Sequence, residues 1–233
     1  NPEHVALGCD AFWNTFWNLN QLWALATPDI MNKWVESLLE YYRVGGWLPN
    51  GPPGVEYCDI MGAQHEIPLM VSAYQKGIRN YDVDKAYEAV KKTLTTQGTA
   101  LSSGGIVGNR HLDVYLKYGF VPYGEKSHHN VFGTTYEGPT SNTLEYAFDD
   151  WNAAQFAKAL GYEEDYDYFT RRAYNYKNVF DSETKYVRPK YSDGTWMPDF
   201  EPINKDEHST SWSWLGSGFV EGNSWQYTWM VPH

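Results

Sequence analysis

The chain has 233 residues, 42% of them apolar and 17% aromatic, and 29 Asp and Glu against 18 Lys and Arg. That is enough apolar content for a packed core and excludes a disordered polymer. The net charge of −11 argues against nucleic acid or anionic membrane as partners, since both are bound through basic patches.

No apolar run approaches the roughly 20 residues of a membrane span. Two cysteines, Cys9 and Cys58, make no disulfide framework, and both one bridge and two buried thiols remain open. No signal peptide is recognisable, although Asn1-Pro2-Glu3-His4 is an unusual native start, which leaves open both processing and a sequence cut at an artificial boundary. Eleven Trp and nineteen Tyr exceed the needs of a core this size. They suit a surface that faces carbohydrate, or helices with bulky seams.

Residues 9–26 read as a mostly buried helix, with Asp10, Asn14, Asn18 and Gln21 sharing one polar face. That face suits a wet cavity or plain solvent. Thr27 as cap and Pro28 in the first turn open a second helix, which Gly45-Gly46 ends. The stretch Trp47 to Gly54, with three prolines, is an ordered loop. Asp59 to Gly77 returns to helix, with Pro68 predicting a kink or break. His65-Glu66 resembles half of a zinc-protease motif, but position 69 is Leu, and that reading is rejected.

Asp82 caps an amphipathic helix to Thr95, and the Gly- and Ser-rich residues 97–110 form a surface connection. Gly105-Ile-Val-Gly108 lacks the ending of a phosphate loop. A short helix from His111 to Tyr118 stops at Gly119, and His128-His129 falls in a long loop with little prospect of binding metal. Asn142 and Glu145 are spaced as a capping box at the start of a helix that Gly161 closes. Asn142, Glu145, Asp149 and Asn152 give it a polar stripe. Asp149 and Asp150 point about 100° apart and cannot both face one substrate. Tyr162 to Phe180 is a further helix, and Lys185 to Pro202 reads as turns with a short hairpin.

The last segment carries the chemistry: Gly218-Phe-Val-Glu221-Gly-Asn223-Ser-Trp225-Gln226-Tyr227-Thr-Trp229, then Val-Pro-His233. A carboxylic acid among aromatic faces keeps a proton for a leaving oxygen if its surroundings are of low dielectric. Aromatic rings stack on sugars, and amides reach their hydroxyls. An aromatic helix start with a glutamate at its N-terminus is the structural alternative.

This segment resembles the signature of the glycoside hydrolase family 92 α-mannosidases, as does Thr143-Leu-Glu-Tyr-Ala-Phe-Asp-Asp-Trp151. Met61 to Ile78 is similar to a second block of that family. Family members usually carry Trp-Asp-Thr and then Arg near the start. Here the run is Trp13-Asn14-Thr15-Phe16-Trp17, a departure that bears on which linkage or aglycone is accepted.

The resemblance implies a mainly α fold, with residues 1–233 a single region of an incomplete (α/α)6 toroid. That region would pack against an N-terminal β-sandwich and the rest of the toroid. It implies an exo-acting, inverting, calcium-dependent α-mannosidase of mannose-containing glycans, exported to the periplasm or cell exterior. Glu221 would be the general acid, and the base, about 6.5–9.5 Å away across the bond, would lie outside this chain with the calcium ligands. Asp10, Trp13, Asn14, His65, Trp225 and Gln226 are the expected sugar contacts. A non-catalytic carbohydrate-binding module and another helical-toroid sugar enzyme, such as an epimerase, are the alternatives.

Overall fold

A computed structural model of the chain describes residues 6–9, 11–52, 57, 62–101, 106–125, 138–203 and 218–233. The architecture is mainly helical, as the sequence pattern predicts. A 3-10 turn, Thr15–Trp17, leads into α1 (Leu19–Ala26), α2 (Pro28–Gly45), α3 (Glu66–Gln75) and α4 (Val83–Thr95). Then come α5 (Leu112–Tyr118), α6 (Pro139–Leu160), α7 (Glu163–Ala173) and, after the hairpin, α8 (Ser224–Tyr227). Two short antiparallel ribbons interrupt the helices, β1 (Thr99–Ala100) with β2 (Ile106–Val107) and β3 (Phe180–Asp181) with β4 (Tyr186–Val187).

Several elements differ from expectation for local reasons. The predicted helix over residues 9–26 is split, because Asn14 adopts a left-handed backbone (φ 64°) and Asn18 leaves helical geometry. The shared polar face is therefore lost, and Gln21 turns back to donate to the Phe16 carbonyl at 2.8 Å. Thr27 sits at the start of α2 without a side-chain cap, whereas Asp82 does cap α4, accepting from Lys85 N at 2.9 Å. The third long helix begins only at Glu66, so Pro68 lies in its first turn, where a missing N–H breaks nothing. Residues 97–110 hold the first ribbon, with Ile106 and Val107 buried. The second half of the predicted helix over 162–180 tightens to a 3-10 turn, Tyr174–Val179. Asp10, Cys58 and His128-His129 lie outside the described residues.

The core gathers around α6. Of its 22 residues, 17 are buried, so its polar stripe faces protein rather than solvent. It packs against α3, α4 and α7, where Met70, Val90, Phe156 and Phe169 are fully enclosed. Each such side chain contributes about 1.5–3 kcal/mol by leaving water. A second apolar cluster, Phe120, Leu144, Val179, Val187, Phe219 and Tyr227, joins the N-terminal half of α6 to the β3–β4 hairpin and α8. This second cluster places the C-terminal segment beside α6. No described helix is long and apolar enough to cross a membrane.

Candidate active site

The capping box expected at Asn142 and Glu145 does not form. Helix α6 starts four residues earlier, with Gly138 at the cap position and Pro139 in its first turn, and the Asn142 N–H bonds the Gly138 carbonyl at 2.7 Å. Both side chains are thereby carried into the helix interior and buried. A capping box does form at α8, where Asn223 accepts from the Gln226 N–H and Gln226 accepts from the Asn223 N–H, at 3.1 and 3.0 Å.

Glu145 and the segment before α8 meet at an open cavity of about 120 Å³, lined by Trp13, Asn14, Trp17, Glu145, Glu221, Gly222, Gln226, Tyr227 and Met230. A larger concavity of about 530 Å³ between α2 and α4 is lined by Glu36, Glu40, Arg43, Tyr81 and Lys85 among others. Its Glu40 pairs with Arg43 at the surface, and none of its carboxyls is buried.

Three hydrogen bonds hold the loop that carries Glu221. The Thr140 N–H donates to the Gly218 carbonyl at 3.1 Å, and the Val220 N–H to Ser141 Oγ at 3.0 Å. The Tyr227 hydroxyl donates to the Val220 carbonyl at 2.7 Å. A Cβ at Gly222 would lie 2.9 Å from the Tyr227 ring, so the residue after Glu221 has to be glycine for the loop to close on that ring. Glu221 itself has φ 45°. That left-handed conformation is costly for a glutamate, and such strain is concentrated at functional sites.

The carboxyl of Glu221 lines the cavity but is exposed, which corrects the expected low-dielectric shell. The tryptophans following it do not supply one either. Trp225 is 48% exposed, Trp229 is 76% exposed, and neither lines the cavity. The indoles on the wall come instead from Trp13 and Trp17, far away in sequence.

The buried acid is Glu145, 2% exposed on the cavity floor. Burial raises its pKa from 4.5 to about 8, against the pull of hydrogen bonds from Trp13 and Tyr227. The Trp13 Nε1–H donates to both its oxygens, at 3.0 and 3.2 Å, and the Tyr227 hydroxyl lies 3.5 Å from Oε1. His65 Nε2 is 3.7 Å from Oε2.

His65 does not line the cavity. It is fully buried, Phe16 packs edge-on against its ring, and Nδ1 accepts the Asn14 N–H at 3.0 Å. Burial lowers its pKa to about 3, so it is neutral, with its one N–H on Nε2 facing Glu145. Its position supports Asn14 and Glu145 from behind. Gly62, in the turn just ahead of His65, lies so close to α6 that a Cβ there would be 2.7 Å from Asn142 Oδ1.

The adjacent acids of α6 diverge, as their helical spacing requires. Asp149 accepts the Gln64 N–H at 2.8 Å and so holds that same turn. Asp150 turns to the other side, where the Arg172 guanidinium meets it with Nε and Nη2 at 3.0 and 2.8 Å and Tyr115 donates at 2.9 Å.

Thus Trp13, Asn14, Glu221 and Gln226 come together at one cavity, whereas His65 lies behind it, Trp225 outside it, and Asp10 is not described. Trp17, Glu145, Gly222, Tyr227 and Met230 also line the cavity, and the sequence pattern did not mark them as site residues. Among the described residues, no three His, Cys, Asp or Glu side chains are grouped to hold a metal ion. No histidine lines the cavity; His233 bonds the Ala173 carbonyl and stacks on Phe148.

A cavity with indole walls, two carboxyls and two amide residues, set in a helical scaffold, is the arrangement of a protein that handles carbohydrate. Comparison with known proteins makes this specific. The chain belongs to glycosyl hydrolase family 92, whose catalytic-domain model matches residues 4–233. These helices are accordingly part of the (α/α)6 toroid of that family.

The chain is similar to an inverting family 92 mannosidase from Bacteroides thetaiotaomicron, with 29% identity and a TM-score of 0.80 over 95% of this chain and 27% of that one. A family 92 α-mannosidase from the same organism gives 30% identity and a TM-score of 0.77, over 95% and 26%. An uncharacterised secreted glycosidase from Arthroderma benhamiae is 26% identical over 96% of this chain and 32% of its own length. The chain therefore spans a quarter to a third of these relatives.

Proposed function

We propose that this chain is the part of an exo-acting, inverting α-mannosidase that supplies the general acid, Glu221, for hydrolysis of terminal α-mannosides in glycans, N-glycans among them. The observation that carries the reading is Glu221 itself. It is a glutamate held in a strained left-handed conformation, opening into an indole-walled cavity, in a chain of family 92. Two similar structures are described as mannosidases, one of them inverting.

Glu221 protonates the departing glycosidic oxygen. Trp13 offers a face to the sugar, and Asn14 and Gln226 offer amides to its hydroxyls. The base that activates water comes from outside this chain, as do the groups that close over Glu221 and let it keep its proton. The surface left open by Trp17, Leu22 and Leu25, each more than half exposed, fits a scaffold that packs on the remaining toroid and a β-sandwich domain.

Calcium dependence is part of the proposal. Its ligands are proposed to come from the part of the enzyme beyond this chain, and among the described residues no three His, Cys, Asp or Glu side chains are grouped for an ion. Chelation should abolish turnover, and added calcium should restore it. Export to the periplasm or cell exterior is proposed from the secreted fungal relative.

The test is Glu221→Gln in the full-length enzyme. Turnover of unactivated mannobiose should fall by about 10²–10⁴-fold while mannose binding persists. A variant that cleaves mannobiose at the parent's rate removes Glu221 from the role.

A further inference from the structure

Glu145 is costly to bury. It is 2% exposed, and no described Lys or Arg stands within ion-pair distance of it. An apolar residue would fill the site without that penalty, and so the carboxyl has to be explained by what it touches. Its neighbours are not random core residues. Trp13 and Tyr227 both line the cavity, and His65 fixes the backbone of Asn14, which lines it too.

The hydrogen-bond inventory is directional. The indole of Trp13 has one N–H, and Glu145 is its acceptor through both oxygens. The Tyr227 hydroxyl donates to the Val220 carbonyl at 2.7 Å, and the same oxygen lies 3.5 Å from Glu145 Oε1. One carboxyl thus spans the cavity floor between the wall at Trp13 and the ring that holds the carbonyl immediately before Glu221. Trp13 itself lies in no regular element, just ahead of the 3-10 turn. Its indole N–H has no acceptor among the described residues other than Glu145.

We propose that Glu145 is a positioning residue, which fixes the Trp13 indole as the sugar-facing wall of the cavity into which Glu221 opens. The proposal rests on the mannosidase reading for its ligand, and its test separates the two. The full-length enzyme is prepared as the parent, Glu145→Leu, Glu145→Gln, Trp13→Phe and the double variant Glu145→Leu/Trp13→Phe, with thermal midpoints recorded for each.

Leucine removes the acceptor. The KM for mannobiose should rise by about tenfold with a smaller change in kcat, and glutamine, which keeps an acceptor oxygen, should restore most of it. In the Trp13→Phe background, Glu145→Leu should add less than about twofold, because its effect runs through the indole. If it costs the same factor in both backgrounds, the proposal is overturned.

A second readout needs no turnover. The Trp13 indole N–H resonance of 15N-labelled enzyme, assigned by its loss in Trp13→Phe, should exchange with solvent at least about tenfold faster in Glu145→Leu than in the parent or Glu145→Gln. Unchanged exchange overturns the proposal even if mannobiose is not a substrate. If Glu145→Leu does not fold, Glu145→Asp takes its place, since a side chain one methylene shorter keeps the acid and loses the reach to Trp13. Failure of the mannosidase reading shows separately, as full activity in Glu221→Gln.

Discussion

Replacing Glu145 by glutamine keeps the shape of the side chain and removes its titration, which allows a stability measurement to test how deeply that carboxyl is buried. Burial moves its pKa from 4.5 to about 8. Between those values the folded protein holds a proton that the unfolded chain has released, so stability falls as pH rises from about 4.5 to about 8. The whole interval corresponds to about 5 kcal/mol, and about 3.5 kcal/mol of it falls between pH 5 and pH 8. Glutamine does not titrate, so the variant should gain about 3 kcal/mol on the parent over that range.

His65 and His111, lowered by burial to about 3 and about 4, act in the opposite sense. They cost stability as pH falls below about 6.5, but they are present in both proteins and cancel in the difference. Asp149 is raised chiefly by burial and in part by the neighbouring Glu145 charge, so its cost also lessens in the variant, which adds to the expected difference. Urea midpoints of parent and variant at the two pH values are the assay. A stability difference that is the same at both, within about 0.5 kcal/mol, would mean that Glu145 is ionised in the folded protein and that the burial argument is wrong.

Other changes should separate structure from chemistry. Asp150→Asn leaves the buried Arg172 fork without its carboxylate and should cost about 3–5 kcal/mol, seen as a large fall in thermal midpoint. Lys91→Ala breaks the exposed bridge to Asp165 at 2.7 Å and should cost no more than about 1 kcal/mol, since Tyr87 still bonds that carboxylate. Gly222→Ala sets a methyl against the Tyr227 ring and should reduce turnover of the full-length enzyme more than it reduces stability, because the loop displaced is the one bearing Glu221.

Much of the scaffold was legible from residue spacing. Asp82 as cap, Gly46, Gly119 and Gly161 as left-handed helix ends, and the divergence of Asp149 from Asp150 all follow from local chemistry. What was not legible depends on tertiary partners. The spacing of Asn142 and Glu145 matches a capping box, but Pro139 starts the helix earlier and turns the pair into buried side chains. The break at Asn14 depends on His65, 51 residues away, taking its amide hydrogen. Adjacent tryptophans made the environment of Glu221 look dry, yet proximity in sequence placed Trp225 and Trp229 outward. One signal did point to Glu145: a polar stripe on a helix whose other faces are apolar has to meet something, and here it meets the cavity floor.

Ser141 and Glu145 stand one turn apart on α6, and each reaches the C-terminal segment, about 80 residues further on, from the same helix face. Ser141 holds the Val220 N–H, while Glu145 lies against the Tyr227 hydroxyl that holds the Val220 carbonyl. Both hydrogen-bonding groups of the residue before Glu221 are therefore fixed by α6, one directly and one through Tyr227. A left-handed glutamate can persist only where its neighbours over-determine it. Ser141→Ala removes the direct anchor at the cost of about 1 kcal/mol in stability. If the strain at Glu221 serves the reaction, turnover of the full-length enzyme should fall by more than the roughly fivefold that this energy represents. A fall that only tracks stability would show that the helix holds the loop without tuning the acid.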